Sequence, residues 1–403
     1  MSTRVAITGL GPVSNIGIGV GDFLDALRNG KSGTSRIKSF DTTGFPRVMA
    51  GEVEDFHPDA ILHRLDPAEW GRSSQLAAAA ARLAVQDAGL DPATLAAART
   101  AAAVGTTSGE AVIDVNLART WALDGYPATD PHDARLLPAG RLSAAVNHEL
   151  GLTGEAATIA TACAAANYAI GFAFDLIRQG EADIAFAGGA DSVARSTHAG
   201  FLRLGALAEE RCSPFDRDRA GILTAEGGAM LVLERMDHAR ARGARIYGEV
   251  LGYGATCDAS HMVAPDRNSI ARCFRLAHRN AGVRADQIDY VCAHGTGTPT
   301  NDLTEALAIL EVFGDDPPPV SSIKSALGHS MGAASGFGAM ACALAMTHGF
   351  LPPTINHVTP DPQLAGIDPV PNQARPADLS IVQNNGFAFG GNNAVVILGR
   401  GDA

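Results

Sequence analysis

Lysine is nearly missing from this chain. Lys31, Lys38 and Lys324 stand against 28 arginines in 403 residues, a bias that points to a GC-rich genome. A lysine kept against that bias suggests a chemistry that arginine's delocalised guanidinium does not supply. Charge is sparse as well, at 18% of residues, and the formal net charge is −12. Such a chain lacks the basic footprint that bulk binding to nucleic acid or to an anionic membrane requires. A local basic patch for an acidic partner remains compatible with it.

Cysteine is scattered rather than patterned. Cys163, Cys212, Cys257, Cys273, Cys292 and Cys342 form no CxxC pair and no metal-like spacing with histidine, so neither a disulfide framework nor a metal site is expected. The opening, MSTRVAITGLG, runs directly into a strand pattern instead of a signal peptide. Together these features predict a reduced, cytoplasmic setting. The one long apolar run, MGAASGFGAMACALAMTHGF over 331–350, is studded with Gly, Ala and Ser. It reads as a buried helix packed closely on another backbone, not as a membrane span.

Hydrophobic residues make up 46% of the chain, an ordinary globular share. The length exceeds one small domain and suggests two domains or one large, internally doubled core. Strand and helix patterns alternate throughout. RVAITGLG (4–11) is a strand, VGDFLDALRNGK and SSQLAAAAARLAVQDAGL are helical, and TAAAVGTTSG is a strand running into a turn. TIATA leads through Cys163 into the helix AAANYAIGFAFDLIRQG, which Gly180 closes, and ADIAFAGGAD (182–191) is a buried strand. From about residue 245 the same grammar repeats, ending in LSIVQNNGFAFGGNNAVVILGR. This alternation predicts an α/β protein with its sheets covered on both faces.

A lone cysteine in an apolar stretch is ordinarily a buried structural thiol. Cys163, however, stands where a strand gives way to a helix, and a helix N-terminus favours the thiolate. His294 in CAHGTGTPTND and His329 in KSALGHSMGAASG both fall in loops after predicted strands, where α/β sites gather. His261 in CDASHMVAP reads as a turn residue.

TACAAA, HGTGTPTND…E and KSALGHSMGAASG, in that order and spacing, resemble the Cys–His–His signature of β-ketoacyl-acyl-carrier-protein synthases. The resemblance extends through ITGLGPVS, AFAGGAD, SPFDRDRAG, AEGGAMLVLER, LPPTINH and FAFGGNNA, nearly the whole chain. It implies the thiolase fold: duplicated halves, here 1–244 with the nucleophile and 245–403 with the histidines, in a five-layered αβαβα core. It implies a dimer. It also implies that Cys163 accepts an acyl group from the phosphopantetheine arm of acyl carrier protein, with no separate cofactor. His294 and His329 would then promote decarboxylation of a malonyl-carrier extender, whose carbanion attacks the acyl-cysteine.

Further roles follow from the same likeness. The backbone N–H groups of Cys163 and Phe389 would form the oxyanion hole, with Phe389 also the gate. Thr296 and Thr298 would bind the pantetheine chain, Phe387 would contact substrate, and Ser108 would limit pocket depth. Lys324 and Glu305 would form a buried ion pair supporting the histidines. The chain also departs from the family. It reads NNGFAFGG at 384–391, with Ala388 for a hinge glycine, and RAGI at 219–222 where R-D-G-F is common. The usual cationic cluster before the second helix is reduced to Arg64 and Arg72, so carrier docking is expected to draw on other arginines such as Arg203.

These features suggest a type II polyketide ketosynthase subunit. Housekeeping fatty-acid elongation, which uses the same chemistry, is the alternative. A non-catalytic chain-length partner would commonly carry glutamine in place of Cys163, and a degradative thiolase a cysteine in place of His329. The thin cationic cluster and the small Ser108 lead to the expectation of a heterodimer with a cysteine-less homologue, with a homodimer as the fallback.

Overall fold

The structure, a computed structural model, describes residues 3–401. Ten strands form its frame: β1 (Val5–Ser14), β2 (Thr100–Gly105), β3 (Glu155–Ile159), β4 (Ile184–Asp191) and β5 (Gly227–Arg235), then β6 (Gly248–Cys257), β7 (Tyr290–Cys292), β8 (Val320–Ser321), β9 (Ile381–Phe387) and β10 (Asn392–Gly399). The first five lie in the order β3-β2-β4-β5-β1 and the second five in the order β8-β7-β9-β10-β6. Each half has three parallel strands followed by two antiparallel ones. The duplication expected from the repeated strand–helix pattern is therefore present strand by strand.

The halves are joined rather than separate. Val5–Ile7 of β1 pair antiparallel with Gly248–Val250 of β6, making one continuous sheet. Of the helices α1 (Arg72–Ala88), α2 (Arg141–Leu150), α3 (Ala165–Gln179), α4 (Arg195–Arg203), α5 (Arg267–Ala281), α6 (Pro299–Phe313) and α7 (Ala334–His348), all but α4 cover it. Alternation along the strands sorts their side chains between layers. Ala101, Ala103, Leu231 and Leu233 face a central cluster with α3 and α7, while Ala102, Val104, Met230 and Val232 face α1 and α2. In the second half Val396 and Leu398 join the same central cluster, and Val395 and Ile397 face α5 and α6. Both halves thus cover one pair of helices, and the layers read α, β, α, β, α as expected.

Small residues set the spacing of these layers. A Cβ on Gly9 or Gly11 would lie 2.3 or 1.8 Å from the carbonyl oxygens of Ala84 and Ala80 on α1, so strand and helix touch backbone to backbone. The run Ala77–Ala81 is fully buried against that strand. Helix α7, the apolar stretch at 331–350, is buried from Ala334 to Met346. It has fifteen residues, and among the described residues no helix is long and apolar enough to cross a membrane.

Candidate active site

Cys163 sits in a single tight turn, Ala162–Ala164, that leads directly into α3. Ala162 takes the left-handed conformation, φ 49°, which is costly for a residue with a Cβ. Burial pushes the Cys163 thiol up to about 11. The Lys324 charge pulls the other way, the Asp191 carboxylate adds to the rise, and the N–H groups of Phe389 and of Cys163 itself favour the thiolate. Burial thus outweighs what the helix start and these donors contribute toward the thiolate. The two N–H groups directed at the sulfur are those expected of the oxyanion hole.

The two imidazoles meet in the same cavity. His294 and His329 lie with ring centroids 5.6 Å apart at 81°. Burial, followed by the Lys324 charge, holds both well below the usual histidine range, so both are neutral at neutral pH. His329 Nδ1 accepts the Met331 N–H at 3.0 Å, which assigns its proton to Nε2. His294 Nδ1 is buried without a hydrogen-bond partner among the described residues.

The support beneath His294 differs from expectation. Glu305 accepts the N–H groups of His294 and Gly295, each at 2.8 Å, and the Asn385 amide at 2.9 Å. Lys324 Nζ donates to the His294 carbonyl at 2.6 Å. The predicted direct ion pair is therefore replaced by two charges that grip the same backbone from opposite ends. Their attraction persists through space, since Glu305 is among the groups raising the Lys324 pKa against burial. The strand carrying Cys292 leads straight into this gripped segment, which fixes where the His294 ring stands.

Around them a cavity of about 240 Å³ contains Cys163, His294, His329, Thr296, Thr298, Phe387 and Phe389 on its wall. The Thr296 and Thr298 hydroxyls are 2.9 Å apart, and Thr298 also caps α6. Phe387 packs its ring on His294 at 5.5 Å, and Phe389 lies on Phe201 of α4 at 5.6 Å. His261 holds its own turn, its Nδ1 accepting from Val263 and Ala264 at 3.0 and 2.9 Å, and also reaches the cavity wall. A larger opening of about 690 Å³, edged by Asp22, Asp25, Glu52 and Glu54, contains none of these groups.

Ser108 is exposed and does not line this cavity; its N–H donates to Asp191 at 3.1 Å and its hydroxyl lies 3.5 Å from that of Thr197. Arg72 is not free for docking: it pairs with the buried Glu226 at 2.6 Å and donates to the Val53 carbonyl. Arg64 and Arg203 are exposed. Asp191 itself was missed. It ends the buried strand β4 and gathers donors from two loops of the site, and the signal was a lone acid closing AFAGGAD.

The chain as a whole matches known proteins. Residues 2–239 match the family model described as Beta-ketoacyl synthase, N-terminal domain, and residues 247–358 match Beta-ketoacyl synthase, C-terminal domain. The chain belongs to the β-ketoacyl synthase family. Among its relatives, a protein assigned as polyketide beta-ketoacyl synthase 1 in Streptomyces halstedii is 38% identical, covering 99% of this chain and 98% of the relative. The 3-oxoacyl-[acyl-carrier-protein] synthase 2 of Synechocystis is 35% identical over 98% of this chain and 97% of its own length. Among solved structures, a chain of the ishigamide ketosynthase/chain length factor superposes with a TM-score of 0.97 at 51% identity, covering 99% and 100% of the two chains. A chain of the AntDE:AntF complex, a type II PKS acyl-carrier protein with its ketosynthase bound to the hexaketide, gives 0.90 at 30% identity over 99% and 100%. The fold is that of the thiolase-fold ketosynthases.

Proposed function

We propose that this chain is a β-ketoacyl-acyl-carrier-protein synthase of a type II polyketide system, an acyltransferase that extends a carrier-bound chain by decarboxylative condensation. The observation that carries the reading is one buried cavity holding a thiol, two neutral imidazoles, and two N–H groups directed at the sulfur. Cys163 attacks the acyl thioester on the carrier's phosphopantetheine arm. The acyl group passes to sulfur and the Cys163 proton leaves with the pantetheine thiol. The N–H groups of Cys163 and Phe389 hold the oxyanion of that step.

The malonyl extender then enters along Thr296 and Thr298. His294 and His329 donate N–H bonds to its thioester oxygen. Carbon dioxide departs, and the electron pair of the broken bond becomes the enolate. Neutral rings suit this role, because each keeps one N–H to give while the site carries no extra proton. The carbanion attacks the acyl-cysteine carbonyl, a carbon–carbon bond forms, and the carbon–sulfur bond breaks to release the Cys163 thiolate, which takes up a proton from solvent to restore the thiol. Lys324 and Glu305 act through the His294 backbone.

The polyketide assignment draws on the Streptomyces relative and on the two polyketide structures. By the same likeness the partners are an acyl carrier protein and a cysteine-less chain-length subunit. Halves 1–244 and 245–403 supply the nucleophile and the histidines respectively, and the setting is cytoplasmic. Incubation with acyl-carrier protein adds one acyl mass to the wild type and none to Cys163→Ala. Acylation surviving in that variant overturns the assignment. His329→Ala accepts the acyl group but releases no carbon dioxide from malonyl-carrier protein.

A further inference from the structure

We propose that Asp191 is a positioning residue for the reaction, holding the turn that orients His329 against the loop that follows β2. The inference rests on the condensing reading above but concerns a residue outside the Cys–His–His set. Asp191 is the last residue of β4 and is 1% exposed. Its two carboxylate oxygens accept four donors. Oδ1 takes the Thr106 hydroxyl at 2.7 Å and the Ser108 N–H at 3.1 Å, and Oδ2 takes the Thr107 and Gly332 N–H groups, each at 2.7 Å. Three donors come from the loop after β2. The fourth comes from the turn containing Met331, which begins two residues after His329.

That fourth bond matters because the turn is strained. Met331 takes φ 51°, a conformation that persists for such a residue only where its surroundings over-determine it. The Met331 N–H is the group that holds His329 Nδ1. Asp191 grips the next N–H along the chain. The approach is close, for a Cβ on Gly332 would lie 2.7 Å from Asp191 Oδ2 and 2.5 Å from Thr106 Cα. Asp191 therefore clamps residues 331–332 in the geometry that presents the Met331 N–H to the imidazole, leaving the Nε2 proton of His329 for the substrate.

Asp191→Asn is the near-isosteric test. An amide has one accepting oxygen and an NH2 that would face an N–H donor, so at least one of the four bonds is lost. In single-turnover assays the variant is expected to acylate Cys163 within about threefold of the wild type but to decarboxylate malonyl-carrier protein at least about tenfold more slowly. The ¹⁵N spectrum of histidine-labelled protein, with His329 assigned from His329→Ala, is expected to show a single Nε2-protonated tautomer in the wild type and mixed tautomers in the variant. An equal fall in both half-reactions, or an unchanged His329 signal, overturns the proposal. Should Asp191→Asn fail to fold, Thr106→Val removes one donor while keeping the carboxylate, and the same split is expected at about two- to threefold. Equal falls there overturn the proposal too. A wild type that neither acylates nor decarboxylates refutes the condensing reading instead, and the tautomer measurement still tests the clamp.

Discussion

The turn that opens α3 and the turn that opens α7 are built alike and used differently. Each is a tight three-residue turn, Ala162–Ala164 or Met331–Ala333, led by a left-handed non-glycine residue at φ 49° or 51°. Each feeds a fifteen-residue helix closed by a left-handed glycine, Gly180 or Gly349. The middle position is Cys163 in one and Gly332 in the other. At Gly332 the space for a side chain is taken by Thr106 and Asp191. At Cys163 the space opens onto the cavity. One copy of the device thus presents a thiol to the cavity, and its twin, without a side chain there, offers backbone N–H groups to His329 and Asp191.

Making the first turn like the second breaks the comparison most severely. Cys163→Gly is expected to lose condensation by about 10⁴-fold or more, as removal of a covalent nucleophile does. Its urea unfolding midpoint should stay close to that of the wild type, because the backbone of the turn already exists with glycine at that place in the other half. A collapse of stability would show that the thiol is part of the packing.

Iodoacetamide labelling of Cys163 sharpens the same point. With the thiol raised to about 11, the thiolate fraction at pH 8 is about a hundredfold below that of a thiol with pKa near 9. The labelling rate should therefore climb with a slope near one per pH unit through pH 10. A plateau at or below pH 9 would show that the helix start outweighs burial after all.

Adding bulk to the second turn is the converse test. Gly332→Ala places a methyl group against backbone, and overpacking of that kind costs about 1–3 kcal/mol. Urea unfolding should show it, with malonyl decarboxylation impaired more than acylation. The smallest contrast lies at the strained leaders. Ala162→Gly relieves the left-handed strain while loosening the unfolded chain, and the two effects leave stability within about 1 kcal/mol. Met331→Gly gains the same relief but gives up a side chain that is 2% exposed, so a net loss of about 2 kcal/mol is expected. Equal effects at the two positions would mean that the turns are not equivalent in strain.

Much of this was legible from residue patterns. The apolar runs in TAAAVG and ADIAFAGGAD marked buried strands, and the glycine after FDLIRQ marked the end of α3. The chain-wide resemblance picked out Cys163, His294 and His329, because motifs keep their residues wherever the fold places them. What stayed hidden depends on distances between segments far apart in the chain. Lys324 and Glu305 are both present, yet only the coordinates show that each binds the His294 backbone rather than the other. Nothing near Ser108 in the sequence shows that its N–H is held by Asp191, more than eighty positions away. The cysteine's place at a helix start was visible, whereas the burial that overrides it was not. Arg72 read as a docking charge because Glu226 gave no hint of standing beside it.

The shared central layer has a consequence for how the chain comes into being. Helix α3 is synthesised with the first half, but α7, the other member of the layer, lies near the far end of the chain. Until α7 arrives, the inner face of the first half, with Leu231, Leu233 and the apolar side of α3, has lost its main cover. The roughly 170 residues between the ends of the two helices, at about 5–20 residues per second, take a ribosome roughly ten to thirty seconds. During that interval the nascent half presents an uncovered apolar surface, and a chain cut after the first half would keep that surface permanently.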